Sequence, residues 1–208
     1  SAGLWFEAYD FPRNTPLSKF PKGVLSNTWQ GVKMIVSHEA LQNDLWYSTD
    51  AQFVKEIPGF SKVDAYAMRW RGQINLPKTG GYLFKTRSND GSRLYIDGTM
   101  VVDNDGIHGP RDRVSKTITL KAGWHDIVVL FFESHGTSML QVSVKPPGGS
   151  YMKVTAEMCR AWLPGLVFEA YNFPRNTPLS KFPTGVLLDT WVGLTRLVRH
   201  QSLEKALW

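Results

Sequence analysis

The chain has 208 residues, 42% hydrophobic and 20% charged, with eight Trp, seven Tyr and eleven Phe, a globular composition with room for one core of about 150 residues and a remainder. The net charge of +6 suits acidic partners, but the basic residues are scattered and assign none by themselves. A single cysteine, Cys159, excludes an intrachain disulfide and a Cys-rich metal site, and no apolar run reaches the roughly eighteen residues of a membrane helix, so no membrane insertion is expected.

The chain opens on an internal repeat. Leu4–Trp46 realigns on Leu166–Trp208 at a constant offset of 162, with 27 of 43 positions identical. A duplication follows, and the chain reads as one full unit and the beginning of another, part of a tandem array. Identity is uneven: Phe6–Pro21 matches its counterpart at 15 of 16 positions, but Lys22–Trp46 at only 11 of 25. The fixed stretch holds polar Arg13, Asn14 and Lys19, repeated as Arg175, Asn176 and Lys181. It reads either as an opening segment packed on its own domain or as a unit-to-unit assembly contact.

Further along, Ser37–Gln42 has helix-forming composition with a Ser available as a cap, which allows at most one short helix there. Strands are expected over Tyr82–Arg87, Arg93–Asp97, Thr99–Asp103 and Ser115–Leu120. Alternation places Leu94 and Ile96 on one buried face, and Leu140, Val142 and Val144 on another within Met139–Val144. Ile127–Phe132 is a continuous β-branched and aromatic run, as in a central strand covered on both faces. Lys145–Ser150 and Leu163–Gly165 are Pro- and Gly-rich turn signals, and Tyr151–Trp162 reads as a last strand or a short helix. The expectation is an all-β antiparallel β-sandwich with at most one or two short helices, in residues 1–150, then a connecting segment at 151–165 and the N-terminal part of a second copy at 166–208.

Three stretches carry a resemblance: Tyr82–Gly98, with Ser88-Asn89-Asp90-Gly91 at its centre, then Val101-Val102-Asp103-Asn104, then Leu120–His125. In order, spacing and turn residues they resemble the protective-antigen-type (PA-fourteen) domain of bacterial toxins, fungal adhesins and some glycosidases. The opening Gly3-Leu4 and Glu7-Ala8-Tyr9 look like that family's first strand. The resemblance implies a β-sandwich for carbohydrate binding, adhesion or assembly, without catalysis of its own.

It also implies a site. In the lectin members, two adjacent acidic residues at the position of Asn89-Asp90 hold a Ca²⁺ ion that takes up two sugar hydroxyls, as a hard cation with open oxygen positions does. Here Asn89 replaces one carboxylate, which lowers the expected affinity for calcium. The second ligand loop corresponds to Glu133, Ser134, His135 and Gly136, and Glu133 restores the missing charge if it points inward. Asn89, Asp90 and that loop are therefore the candidate ligand-binding residues, with Asn89 and Asp90 the candidate metal ligands. Asx-Asx-Gly between strands is equally the chemistry of a tight turn. In Asp103–Gly106 an EF-hand-like start meets Asp112 one position off the spacing of the liganding Glu, so a connecting loop is expected.

Of the five histidines, only His135 lies in a predicted binding turn, and none has metal-ligand spacing. Trp29, Trp46 and Trp70 either stack on sugars or pack in the core. Nucleophile elbows, phosphate loops and dinucleotide fingerprints are lacking, so no enzyme is expected. Arg69-Trp70-Arg71 alone does not make a nucleic-acid surface. Two functions remain open. One is a module binding a glycan or glycoprotein, extracellular or at the cell surface. The other is an assembly scaffold contacting neighbouring repeats or copies of the same protein, with an intracellular location as the alternative.

Overall fold

The computed structural model describes residues 2–13, 28–29, 32–161, 167–171, 190–191 and 194–201. Contacts group the chain into two units, residues 1–19 with 32–162, and residues 20–31 with 163–208. In chain order the strands are β1 (Leu4–Asp10), β2 (Thr28–Trp29), β3 (Val32–Leu41), β4 (Trp46–Tyr47), β5 (Tyr66–Leu76), β6 (Gly80–Asn89), β7 (Ser92–Ile96), β8 (Thr99–Asn104) and β9 (Arg111–Val114), then β10 (Ile118–Leu120), β11 (Gly123–Glu133), β12 (Met139–Lys145), β13 (Met152–Lys153) and β14 (Cys159–Arg160). β15 (Val167–Tyr171), β16 (Thr190–Trp191) and β17 (Leu194–Gln201) follow, and one helix, α1 (Asp50–Glu56), lies between β4 and β5.

The first unit is an antiparallel sandwich. One sheet runs β3-β1-β5-β11-β7-β8, with β14 also paired to β5. The other runs β10-β6-β12-β13, with β4 on β12 and β9 on β6. Phe6, Trp70, Val129 and Phe131 from the first sheet and Phe84, Leu140 and Val142 from the second belong to one buried cluster. Phe53 of α1 joins it, stacked on Tyr47 at 4.4 Å and on Phe131 at 5.4 Å between ring centroids.

The strand pattern follows the alternation in the sequence. In β7, Leu94 and Ile96 are buried and Arg93 and Tyr95 half-buried; in β12, Leu140, Val142 and Val144 are buried. The Ile127–Phe132 run lies in β11, paired to β5 on one side and β7 on the other, so both edges and most of both faces are covered. The expected helix at Ser37–Gln42 is a correction: Ser37–Leu41 is the end of β3, with Ser37 opposite Glu7 and His38 opposite Phe6. Pairing with a buried strand outweighs a modest helix propensity. The helix forms at Asp50–Glu56 instead, where the Thr49 hydroxyl accepts the Gln52 amide at 3.3 Å as an N-cap.

Residues 152–161, within the stretch read as a connector, form β13, a 3₁₀ turn at Ala156–Met158 and β14, and bury Val154, Cys159 and Ala161. β14 continues along β5 where β1 stops, with Cys159 opposite Ile74 and Arg160 opposite Gln73. At that junction a Cβ on Gly72 would lie 2.3 Å from the Arg160 carbonyl oxygen, so only glycine lets the strands meet.

β1 accounts for the invariance of Phe6–Tyr9, the opening of the Phe6–Pro21 stretch. It lies between β3 and β5, burying Phe6, Ala8, Tyr9 and Glu7, and Glu7 bonds Arg69 at 2.6 Å. In the second unit, β15 pairs with β17 as β1 does with β3. Phe168 faces His200, Glu169 faces Arg199, Ala170 faces Val198, and the register shifts between Ala170 and Tyr171, each matching the first pairing at the offset of 162.

Candidate functional site

β6 and β7 are joined by Asp90-Gly91, and the Asn89–Asp90 peptide is cis. Beneath the turn is a buried polar chain: the Ser88 and Ser92 hydroxyls lie 2.8 Å apart, Ser92 donates to the Thr86 hydroxyl at 3.0 Å, and the Asn104 amide donates to Ser88 at 3.0 Å. These buried groups satisfy one another and hold β6, β7 and β8 in register. A Cβ on Gly91 would lie 2.3 Å from the Phe132 ring and 2.9 Å from the Gly106 nitrogen, so the turn rests directly on β11 and on the β8–β9 loop.

Asp90 is 3% exposed. One carboxylate oxygen accepts the His108 backbone N–H at 2.9 Å and the other that of Ser134, also at 2.9 Å. Two further aspartates grip the same loop after β11. Gly136 N–H donates to Asp64 at 3.0 Å and Ser138 N–H to Asp50 at 2.9 Å. Alternate amides of residues 134–138 are thus held by carboxylates from three separate segments: the β6–β7 turn, the loop before β5 and the first turn of α1. Such charge-assisted bonds fix a loop that has no ladder partner.

Glu133 lies at the root of this loop, fully buried. One of its oxygens accepts the Asp90 N–H at 3.2 Å and the other has no hydrogen-bond partner. Burial, then the Asp90, Asp50 and Asp64 charges, push its carboxyl up to about 8. Glu133 points inward as the sequence reading required, yet it holds a proton at neutral pH and restores no charge.

The structure therefore brings Asn89, Asp90, Glu133, Ser134 and Gly136 together, with exposed His135 at the loop tip and its ring nitrogen 3.3 Å from the Ser134 hydroxyl. The Asn89 side-chain amide donates to the Thr137 hydroxyl at 3.1 Å. Asp50, Asp64, His108 and Thr137 were not anticipated; only the N-cap pattern Thr49-Asp50 carried a local signal. Arg13 pairs with Asp64 at 3.0 Å while its side chain stays 58% exposed. Asn14, Lys19, Arg175, Asn176 and Lys181 lie outside the described residues.

This donor set is a poor match to a calcium ion, which takes six to eight oxygens, several of them carboxylates: Asn89 offers a neutral carboxamide, and each Asp90 oxygen already accepts an amide. Among the described residues no three His, Cys, Asp or Glu groups are arranged to hold a metal. Of Asp103–Gly106, expected as a connecting loop, Asp103 and Asn104 instead close β8 and Asp105-Gly106 begin the loop to β9, with Arg93 bonded to Asp103 at 3.0 Å and to Asp105 at 3.1 Å.

A model of the PA14 domain matches residues 47–157, just over half of the chain. The chain belongs to the PA14 domain family. The matched stretch carries Asp50, Asp64, Asp90 and the 134–138 loop. Among characterised proteins, the anti-sigma-I factor RsgI3 of Acetivibrio thermocellus is 36% identical over 70 residues, which cover 33% of this chain and 11% of that protein's length. Among solved structures, the PA14 sugar-binding domain from an RTX adhesin superposes with a TM-score of 0.60 at 18% identity, covering 77% of this chain and 98% of that one. An anti-sigma factor domain-containing protein from Clostridium clariflavum gives 0.59 at 16% identity, covering 97% and 60%. The epithelial adhesin 6 A domain from Candida glabrata, solved with Galβ1-3GlcNAc, gives 0.59 at 11% identity, covering 78% and 88%. These likenesses are of fold, and this PA14 domain is the same sandwich.

Proposed function

We propose that this PA14 domain is a non-catalytic, glycan-binding module of a surface or extracellular protein, and that its loop end binds sugar without calcium. The observation that carries this reading is the 134–138 loop. Three aspartates hold its backbone, leaving His135, Gly136 and Thr137 exposed beside Asn89. A loop already ordered loses little entropy on binding, and imidazole, hydroxyl and carboxamide groups are suited to sugar hydroxyls. The sugar-binding RTX adhesin domain and the adhesin 6 A domain with its bound disaccharide support a saccharide as the ligand. A glycan array probed with the chain in calcium and in chelator tests the proposal, with a His135→Ala, Thr137→Ala double variant as control. Equal binding in both buffers, lost in the variant, is expected; calcium-dependent binding, or none by folded protein, overturns it.

The assembly reading keeps one specific support, the common register of β1–β3 and β15–β17. Sedimentation of the chain over a concentration series tests it: self-association weakened by Arg13→Ala favours assembly, and a monomer throughout counts against it.

A further inference from the structure

A cleft of about 440 Å³ lies on the first unit between the loop after β3, β4, α1 and β13, in the size range of small-ligand sites, about 300–1,000 Å³. Half-buried Trp46 lines it with Asn43, Asp44, Gln52, Glu56 and Lys153. None of these residues belongs to the loop site around Asp90.

The polar groups are fixed before any ligand arrives. Gln52 donates to the Trp46 carbonyl and to Glu56 Oε1, both at 2.9 Å, and its own carbonyl accepts the Ser48 N–H at 2.8 Å. Asn43 donates to the Glu56 backbone carbonyl at 2.9 Å. Lys153 lies 2.7 Å from Asp44, whose other oxygen accepts the Ala156 N–H at 3.1 Å. Two carboxylates with lone pairs to spare, one ammonium with further protons and an indole thus line one hollow. Sugar hydroxyls both donate and accept, and this set of carboxylates, carboxamides and ammonium meets both demands.

The cleft adjoins a second hollow of about 470 Å³, which shares Gln42, Asp44 and Lys153 with it and continues past Thr155, Ala156 and Glu157. Two hollows that share a wall fit successive residues of a chain better than a single small molecule. Asp44, Glu56 and Glu157 outnumber Lys153, so the lining disfavours anionic glycans.

We propose that this cleft is a second saccharide site, taking a neutral glycan chain with Asp44, Glu56 and Lys153 as its hydroxyl partners and Trp46 at its border. α1 serves both sites, with Asp50 holding the 134–138 loop and Gln52 and Glu56 lining the cleft. The cleft needs no metal ion and does not rest on the loop site.

The test is an NMR titration of the ¹⁵N-labelled full chain with cellohexaose, xylohexaose and mannohexaose, with polygalacturonate as the anionic control. At least one neutral oligomer should shift amides of residues 42–56 and 152–157. Lys153→Met, at a side chain 51% exposed, should weaken that binding several-fold, with His135→Ala leaving it unchanged. Shifts confined to residues 89–91 and 134–138, a preference for polygalacturonate, or no shift with any oligomer overturns the proposal. The first of these outcomes leaves the loop-site reading standing, and shifts confined to the cleft remove the loop site alone.

Discussion

The loop end and the Trp46 cleft use the same side chain for opposite purposes. Around Glu133, the carboxylates of Asp50, Asp64 and Asp90 turn toward the backbone amides of one loop and hold it. At the cleft, Asp44 accepts the Ala156 amide and pairs with Lys153, Glu56 accepts from Gln52 and Asn43, and both line a hollow. An acidic residue beside a binding surface is therefore no evidence of a metal or a ligand until its hydrogen bonds are counted. At the loop end that count leaves the carboxylates as scaffold and the neutral groups exposed.

The largest effect expected from breaking this contrast is at Asp90. Asp90→Ala removes the acceptor for two amides in a buried setting, at a cost of about 3–5 kcal/mol by the usual worth of charge-assisted hydrogen bonds. Urea denaturation measures it. A loss below about 1 kcal/mol would show that the 134–138 loop holds itself.

Next comes the pH dependence set by Glu133. Its carboxyl titrates near 4.5 when unfolded and is raised to about 8 in the fold. Between those values the folded chain keeps a proton that the unfolded chain has released. Stability accordingly falls as pH rises through the window, by up to about 1.4 kcal/mol per pH unit, and levels off above it. Glu133→Gln should flatten that decline and be more stable than the parent chain at pH 9. Thermal unfolding across pH 4 to 9 compares the two, and parallel curves would reject the assignment.

Asp64→Ala should cost less, about 1–1.5 kcal/mol, because Asp64 holds one amide and one exposed arginine near the surface. Arg13→Ala should cost under about 1 kcal/mol, the range of an exposed ion pair. If Arg13→Ala costs as much as Asp64→Ala, the ion pair and not the amide governs the loop. The smallest effect concerns calcium: millimolar Ca²⁺ should leave the melting temperature within about 1 °C, since an ion without a site confers no linkage.

Much of the sandwich was legible because strand alternation is a local property. Leu94 and Ile96, or Leu140, Val142 and Val144, declare a buried face within a few residues, and the unbroken Ile127–Phe132 run marks the central strand. Ser37–Gln42 misled because helix propensity is also local and weak, and β1 decides that segment from some thirty residues away. The helix-starting signal that the fold uses is the Thr49-Asp50 cap. At the site, the meeting of Asn89-Asp90 with Glu133–Gly136 followed from family resemblance, not from any pattern of spacing.

By itself the sequence carried the internal repeat, the all-β class, the faces of the main strands and the turn at Asp90-Gly91, since each is written in identity, period or turn chemistry over short spans. Tertiary structure alone decided what the charges do. Asp50, Asp64 and Asp90 reach one five-residue loop from separations of 88, 72 and 44 residues. The proton on Glu133 likewise depends on burial and on those neighbours, and neither exists until the two sheets have closed.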